Sequence, residues 1–519
     1  MARKSPSEHV FSLTLPLTCE KWQRDRLDTL FRVCNEIKNH LIAYELKQYK
    51  NLTARRDWKA IQAEFSTAYT NKDKEGVSSA GEKRTALLKA TGFTENDFQK
   101  QVKRYREHYK GPGGKECLVH SQIAQKIADS VWDKFESMIY GNGKEVHFSR
   151  WTEFTTISGK QNSTGIKYLD GTVTVCSMSI PVILDKKDPY RYQREALQRT
   201  IRFCSIVRRW YASGWKYFVQ ITLDGTPPVK VKPSTGELLH PLGIGRVGHD
   251  IGTQTIASCG SDNVILAELA DQVHGIDAEL RRINRAMDRS RRSNNPDMFY
   301  EDGTVIPKNK LSKEHLTERD ERIWIKSKRY LRLEARRREL YRRQRELRRQ
   351  QHNELANKIL AFGDQHFIEE MRFRTLAKRT KETKKTKTGK YKSKKRFGKS
   401  ISNKAPASFV RILKQKVVAA GGSFENINTF TVKASQLNHI TETYTKKSLG
   451  KRWDKIDGKE VQRDLYSAFL IMNVNETLDH EDFDRARQTY PQFLKLHDDE
   501  IERISHLMMP SSTGVKHTA

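Results

Sequence analysis

Three acidic residues stand in three short, separated stretches of the chain. Asp250 lies in Val247-Gly248-His249-Asp250-Ile251-Gly252-Thr253-Gln254, Glu369 in Phe367-Ile368-Glu369-Glu370-Met371, and Asp464 in Gln462-Arg463-Asp464-Leu465-Tyr466-Ser467-Ala468-Phe469. The first two stretches predict strands and the third predicts the start of a helix. A carboxylate in an apolar strand is costly to bury without a partner. Three that converge can offset that cost by binding divalent cations, and oxygen donors suit the hard ions Mg²⁺ or Mn²⁺. Two such ions ~3.5–4 Å apart activate a water and stabilise the leaving oxygen during in-line attack on phosphorus. The expected chemistry is metal-dependent phosphodiester cleavage, with Asp250 as the bridging ligand and Glu369 and Asp464 completing the cage.

Each acid also has an ordinary reading. Gly248 and Gly252 beside Asp250 are what a turn would show. Glu370 follows Glu369, and the preceding alternation does not settle which of the two points inward. Asp464 is also what a helix dipole favours in a first turn. The three together, in this order, are far more specific than any one.

The elements that must position them change character along the chain. A strand is expected from His9 to Leu15, then a helix from Cys19 to Leu46 with Leu27, Leu30, Phe31, Cys34 and Ile37 at helical spacing. Residues 50–141 read as mostly helical and basic, broken at Gly111-Pro112-Gly113-Gly114. Beyond Gly141, short alternating runs separated by Gly, Asp and Asn predict a small β-barrel that the first strand completes. Pro227 to Pro241 reads as a linker, and Val247 to Cys259 as one strand bearing Asp250. The longest helical pattern runs from Ser312 to Phe362. There Leu333, Leu340 and Leu347 recur among Arg336-Arg337-Arg338, Arg342-Arg343 and Arg348-Arg349, which fits either a solvated helix or one tracking a nucleic-acid backbone. Lys378 to Lys399 reads as a flexible basic loop, Phe409 to Ala420 as a helix and Ser423 to Phe430 as a strand. The tail after Asn475 has no legible role.

The 519 residues carry 96 Lys+Arg against 63 Asp+Glu, a net charge of +33. Such a field calls for a polyanion, and nucleic acid is the leading partner. Six cysteines without a C-x-x-C pair argue against a disulfide framework and a cysteine zinc site. The N-terminal residues lack the apolar core of a signal peptide, and no apolar run approaches the ~20 residues that span a bilayer. The expectation is a soluble, cytoplasmic protein with no membrane partner.

From residue 9 to about 475 the chain resembles the TnpB nucleases of insertion sequences and their descendants, the type V CRISPR effectors. Gly248-His249-Asp250-Ile251-Gly252 resembles the first RuvC motif, G-I-D-x-G. Phe367-Ile368-Glu369-Glu370-Met371 resembles the second, I-E-D-L, and Arg463-Asp464-Leu465-Tyr466-Ser467-Ala468 the third, R-D-x-N-A-A. Gly398-Lys399-Ser400-Ile401-Ser402, Phe409 and Leu413-Lys414-Gln415-Lys416 look like the family's basic helix, and Ser435-Gln436 like its T-S-Q element. The family's four-cysteine zinc ribbon should follow, but Asn438 and Thr441 fall where its first cysteines would be. No structural zinc is expected, and His439 reads as a lone surface or contact residue.

The resemblance implies a multidomain α+β fold: a wedge-type β-barrel with an inserted helical recognition lobe, followed by an RNase H-like RuvC nuclease domain. The implied boundaries are 1–18 and 142–240 for the barrel, 19–141 for the lobe and 241–432 for RuvC. Residues 433–460 would form a degenerate target-binding insert, 461–475 the last RuvC helix and 476–519 a tail. The implied activity is RNA-guided DNA endonuclease, with a guide RNA, a double-stranded target and its displaced strand as partners of a prokaryotic monomer. A nuclease-inactive guided repressor and an unguided RuvC-like structure-specific nuclease are the alternatives. Arg336, Arg337, Arg343, Lys399, Lys414 and Gln436 are candidate nucleic-acid contacts. Trp151, Tyr168, Trp210 and Trp215 are either base-stacking or barrel-core residues.

Overall fold

The computed structural model describes residues 10–518 apart from 112–113, 115, 142, 318–320, 379–396 and 449. The expected start of the first strand at His9, part of the Gly111–Gly114 break and most of the basic 378–399 tract lie outside the described residues. The chain divides into two compact units, Met1–Pro228 and Val229–Ala519.

The first unit is α+β. Strand β1 (Val10–Pro16) leads into helices α1 (Lys21–Ala54), α2 (Arg56–Thr70), α3 (Lys74–Ala90), α4 (Glu95–Glu107) and α5 (Ser121–Ile139). Strands β2 (Thr156–Ser158), β3 (Ile166–Leu169), β4 (Thr172–Val175) and β5 (Met178–Pro181) follow, then α6 (Tyr192–Leu197), β6 (Ile201–Tyr211) and β7 (Gly214–Asp224). The helical stripe read from the sequence holds: Leu27, Leu30, Phe31, Cys34 and Ile37 of α1 are fully buried. That helix runs about two turns past the expected end at Leu46, with Leu52 still in the core.

The expected barrel does not close among the described residues. Two open antiparallel sheets form instead, β1-β7-β6-β2 and β3-β4-β5. Among the described residues one backbone bridge, Leu17–Val182, links them, and their side chains share one core. The register of that bridge would pair β5 with residues 18–21, but the chain turns into α1 at Lys21, and the far edge strand β2 has only three residues. The four aromatic candidates have work inside this unit. The buried Arg208 guanidinium lies 3.7 Å from the Trp151 ring centre and 4.3 Å from that of Trp215. Trp210 meets Trp215 edge-on at 5.3 Å, and Tyr168 is buried.

The second unit is built on one five-stranded sheet. Its strands are β8 (Arg246–Ile251), β9 (Thr255–Cys259), β10 (Val264–Glu268), β11 (Gln365–Glu369) and β12 (Ser423–Ile427). The spatial order is β10-β9-β8-β11-β12. The first three are antiparallel, and β11 and β12 run parallel to β8. The single strand expected from Val247 to Cys259 is therefore a hairpin. Its turn is closed by the Gly252 N–H donating to the Thr255 carbonyl at 2.9 Å.

Helices α7 (Val273–Asn294), α8 (Lys328–Leu360), α9 (Phe373–Leu376), α10 (Gly398–Lys404) and α11 (Pro406–Ala419) join these strands. The pattern from Ser312 starts late: Ser327 caps α8, its hydroxyl accepting from the Tyr330 N–H at 3.2 Å. Leu340 of its heptad seam is buried against Leu280, Ile283 and Met287 of α7, with Leu333 packed alongside. Two short hairpins follow the sheet, β13 (Leu437–Asn438) with β14 (Thr443–Tyr444) and β15 (Trp453–Ile456) with β16 (Lys459–Gln462). Helix α12 (Arg463–Met472) begins at once after β16, and α13 (Phe483–Ser505) closes the unit.

The sheet is covered on both faces. Ile251, Ile256, Ile368 and Phe424 pack with α8 and α11. Ala257, Cys259, Leu266, Phe367 and Ile427 pack with α12 and α13. Gly248 lets α12 lie directly on β8. A Cβ there would meet the Ala468 carbonyl oxygen at 2.1 Å and the Met472 nitrogen at 2.3 Å. Both are backbone atoms in a helix and cannot give way. Gly248→Ala is expected to destabilise the second unit by about 3 kcal/mol. The control Gly275→Ala, with nothing within 4 Å in the first turn of α7, should be neutral or stabilising. Chemical denaturation of both variants checks this.

Candidate active site

The register of β8 and β11 sets the first two acids. His249 lies opposite Ile368, so Asp250 and Glu369 reach the carboxyl edge of the sheet at the same level. Adjacent strands are ~4.8 Å apart, and equivalent positions share a face. Alternation places 246, 248 and 250 of β8 and 365, 367 and 369 of β11 on the face that α12 covers.

Helix α12 runs opposite to β8. At its C-terminal end Arg246 Nε donates to the Met472 carbonyl at 3.0 Å, while the guanidinium lies 4.3 Å from the Phe367 ring centre. A cation there also suits the helix dipole. Gly248 lies under its C-terminal half, against Ala468, Ile471 and Met472. Asp250 lies toward the first turn, where Asp464 is the second residue.

The electrostatics tie the three together. Burial pushes the Asp250 carboxyl well above the usual range, the Asp464 and Glu369 charges push it further, and Arg463 partly offsets them. Burial also raises Glu369. Glu369 is half-buried and Glu370 exposed, which distinguishes the two neighbours left open by the sequence. The Ser467 hydroxyl, one turn along α12, is buried without a partner in hydrogen-bond geometry, yet it is near enough to Asp250 to favour the charged form.

The acids are neighbours, but they do not form a finished cage. Among the described residues no three His, Cys, Asp or Glu side chains are set as a ready metal cluster. The cations at the site lie on Asp464: Arg463 Nη2 at 3.5 Å and Arg452 Nη1 at 3.8 Å from Oδ1. The donor set itself fits a hard divalent cation. It is all oxygen, two of its carboxyls are desolvated, and the Ser467 hydroxyl has an unused lone pair.

Residues that sequence reasoning passed over hold Asp464 in place. Gln462 Oε1 caps α12 by accepting from the Leu465 N–H at 2.8 Å. Its Nε2 donates to the Thr513 carbonyl at 3.1 Å and to Asp464 Oδ2 at 3.4 Å. The Gln462 N–H donates to His497 Nε2 of α13 at 2.9 Å. Glu500 of α13 accepts from the Leu266 N–H at 2.7 Å and so covers the β10 edge. The tail without a legible role thus braces the helix that carries the third acid. Only its amphipathic pattern could have hinted at this.

Behind Asp250, on the opposite face, lies a buried polar chain. His366 Nε2 contacts the Gly363 carbonyl at 3.0 Å, so that nitrogen must donate. His366 Nδ1 therefore accepts from His249 Nε2 at 2.9 Å, and His249 Nδ1 accepts from the Ser258 hydroxyl at 2.9 Å. Burial holds His249 well below its ordinary value and His366 at about 4, so both stay neutral. This chain pins β9, β8 and β11 in register.

His439 is not on the surface. It is fully buried, its Nδ1 accepting from the Tyr466 hydroxyl at 2.7 Å, with the Tyr490 ring centre 4.6 Å away. The loop after the sheet folds onto α12 and α13, which takes the side chain inward. The candidate nucleic-acid contacts are scattered. Arg336 pairs with Glu279 at 2.8 Å and Lys399 with Asp277 at 2.9 Å. Arg337 reaches Asn284 at 3.4 Å, and Lys414 lies 5.9 Å from the Phe424 ring centre. Arg343 is exposed and Gln436 half-buried.

No protein-family model matches the chain, and no curated protein matches it. Among solved structures it is similar to a Cas12f1–sgRNA–target DNA complex, with a TM-score of 0.42 and 8% identity over 90% of this chain and 99% of that one. It is also similar to a CRISPR-Cas12f ternary complex, with a TM-score of 0.26 and 11% identity over 88% of this chain and 83% of that one. These likenesses assign no activity.

Two outcomes follow from the geometry. The raised Asp250 carboxyl binds its proton more tightly in the folded state, so its charge opposes folding as pH rises above ~3.9. Asp250→Asn should therefore melt at or above the parent temperature in EDTA at neutral pH, while Mg²⁺ should raise the melting temperature of the parent alone. Gln462→Glu keeps the cap but turns a donor into an acceptor against Thr513 and Asp464. It should cost about 1–3 kcal/mol in denaturant unfolding.

Proposed function

We propose that this chain is an RNA-guided DNA endonuclease with one RuvC-type site. The observation that carries the reading is the arrangement of Asp250 and Glu369, level on adjacent parallel strands, beneath the helix whose first turn holds Asp464. The strand order β10-β9-β8-β11-β12 supports it, because it sets β8 with the first acid directly beside β11 with the second. The net charge of +33 supports a polyanionic partner. The three motif resemblances support the guided class within that.

Bound Mg²⁺ or Mn²⁺ would supply an activated water and positive charge at the scissile phosphate. Asp250, Glu369 and Asp464 would hold it. Asp464 would exchange the guanidiniums of Arg463 and Arg452 for this partner, leaving both cations beside the phosphate path. Gln462 keeps the Asp464 helix turn fixed during that exchange. Guide RNA and target DNA would lie on the basic surfaces, with a short motif read by the protein and the sequence read by base pairing. The target and displaced strands would be cut in turn by a cytoplasmic, prokaryotic monomer without structural zinc.

A guided repressor that had lost cleavage would be expected to lack one of the acids, and all three are present. An unguided structure-specific nuclease gives the 228-residue first unit no task.

The test is purification with co-expressed flanking RNA, then cleavage of a plasmid library carrying a randomised motif, with Mg²⁺. Cleavage should require the RNA and fall to background in Asp250→Ala, with target binding retained. Equal cutting by the variant would remove the proposed site, and cutting without RNA would remove the guided reading.

A further inference from the structure

Phe430 is 87% exposed, more than any other aromatic side chain among the described residues. It stands at the tip of a short turn after β12. That turn is firmly built. The Asn428 N–H donates to the Leu478 carbonyl at 2.8 Å, and the Asn428 carbonyl accepts from the Val432 N–H at 2.9 Å. The Asn428 side chain accepts from the Phe430 N–H itself at 3.1 Å. Ile427 and Val432, on either side, are buried in the same core as Leu465 and Tyr466 of α12. A large apolar ring is thus held out in water on a rigid mount, where leaving it exposed is unfavourable.

The mount is at the candidate site. Ile427 is the register partner of Glu369, and β12 runs parallel to β11. Phe430 is three residues further on, so its Cα lies within about 11 Å of the Ile427 Cα on the acid-bearing edge. The same edge carries cations. Arg372 and Arg374, three and five residues beyond Glu369, are exposed, as is Lys433. Arg452 and Arg463 stand at Asp464. Phosphates suit those cations, and an exposed ring suits the π-face of a base. Duplex bases present no free face to it, whereas an unpaired strand does.

We propose that Phe430 is a positioning residue on which one unpaired base of the entering single strand stacks, fixing the register of that strand against the three acids. This rests on the nuclease reading of the same site. An occupant protein would need a wider apolar patch than one ring flanked by Thr429 and Thr431, both exposed.

The test uses the full-length protein purified with its co-expressed RNA, in EDTA, where cleavage is blocked. A short single-stranded DNA carrying 5-iodouracil is photocrosslinked and the adducts are mapped, and affinity is measured by anisotropy at several salt concentrations for this strand and for a duplex of equal length. An adduct at Phe430 is expected. Phe430→Ala should lose that adduct and bind the single strand roughly tenfold more weakly, with an unchanged salt slope and unchanged duplex binding. Phe430→Trp should restore both adduct and affinity. The ring is exposed, so all variants should melt with the parent. Binding of the strand without any adduct at 430, or equal affinity in Phe430→Ala, would overturn the proposal and leave the nuclease reading standing. Failure of the parent to bind either DNA would overturn both.

Discussion

The second unit depends on the contact between one strand and one helix. Three alternate positions of β8 face α12, and each has a separate physical task. Arg246 satisfies and charges the C-terminal end of the helix. Gly248 removes the side chain that would hold the two backbones apart. Asp250 meets the end where Asp464 stands. Moving the strand by one residue would reverse all three tasks at once, because strand side chains alternate between faces. The buried chain Ser258–His249–His366–Gly363 on the other face opposes such a slip through the neighbouring strands.

The price of this arrangement is electrostatic. Asp250 and Glu369 are desolvated carboxyls, and Asp464 adds a like charge beside them. Arg463 and Arg452 relieve part of the repulsion through Asp464. Arg463 also offsets part of the charge at Asp250, so the proposed divalent ion would act where the repulsion is only partly relieved. The surrounding structure is stiff where it must resist this tension. Gln462 is bonded through its N–H, its side-chain oxygen and its side-chain nitrogen, with two of those bonds going to the C-terminal region.

Much of this was legible in the sequence. The three acids were visible because each lies in a short apolar context whose period assigns an element. The α1 stripe and the Leu333–Leu340 seam were visible for the same reason. What escaped was set by long-range contacts. The stretch expected as one strand from Val247 to Cys259 is two strands, and of its two glycines Gly252 marks the turn while Gly248 marks a close backbone approach, a distinction only the pairing with β9 and α12 makes. The barrel was expected from short alternating runs, and alternation gives faces but not closure. His439 looked like a surface residue because nothing local reveals that α12 and α13 fold over it. The bracing roles of Arg246, Gln462, His497 and Thr513 join residues far apart in the chain, and no periodicity encodes such pairings.

The claim that the carboxylates of Asp250, Glu369 and Asp464 together hold divalent cations is tested most directly by anomalous diffraction from crystals soaked in Mn²⁺. The account predicts anomalous peaks within bonding distance of Asp250 and of at least one of the other two acids, with Asp464 turned away from Arg452 and Arg463. Saturating Mn²⁺ that leaves no peak at Asp250, with Asp464 still paired to its arginines, would contradict it.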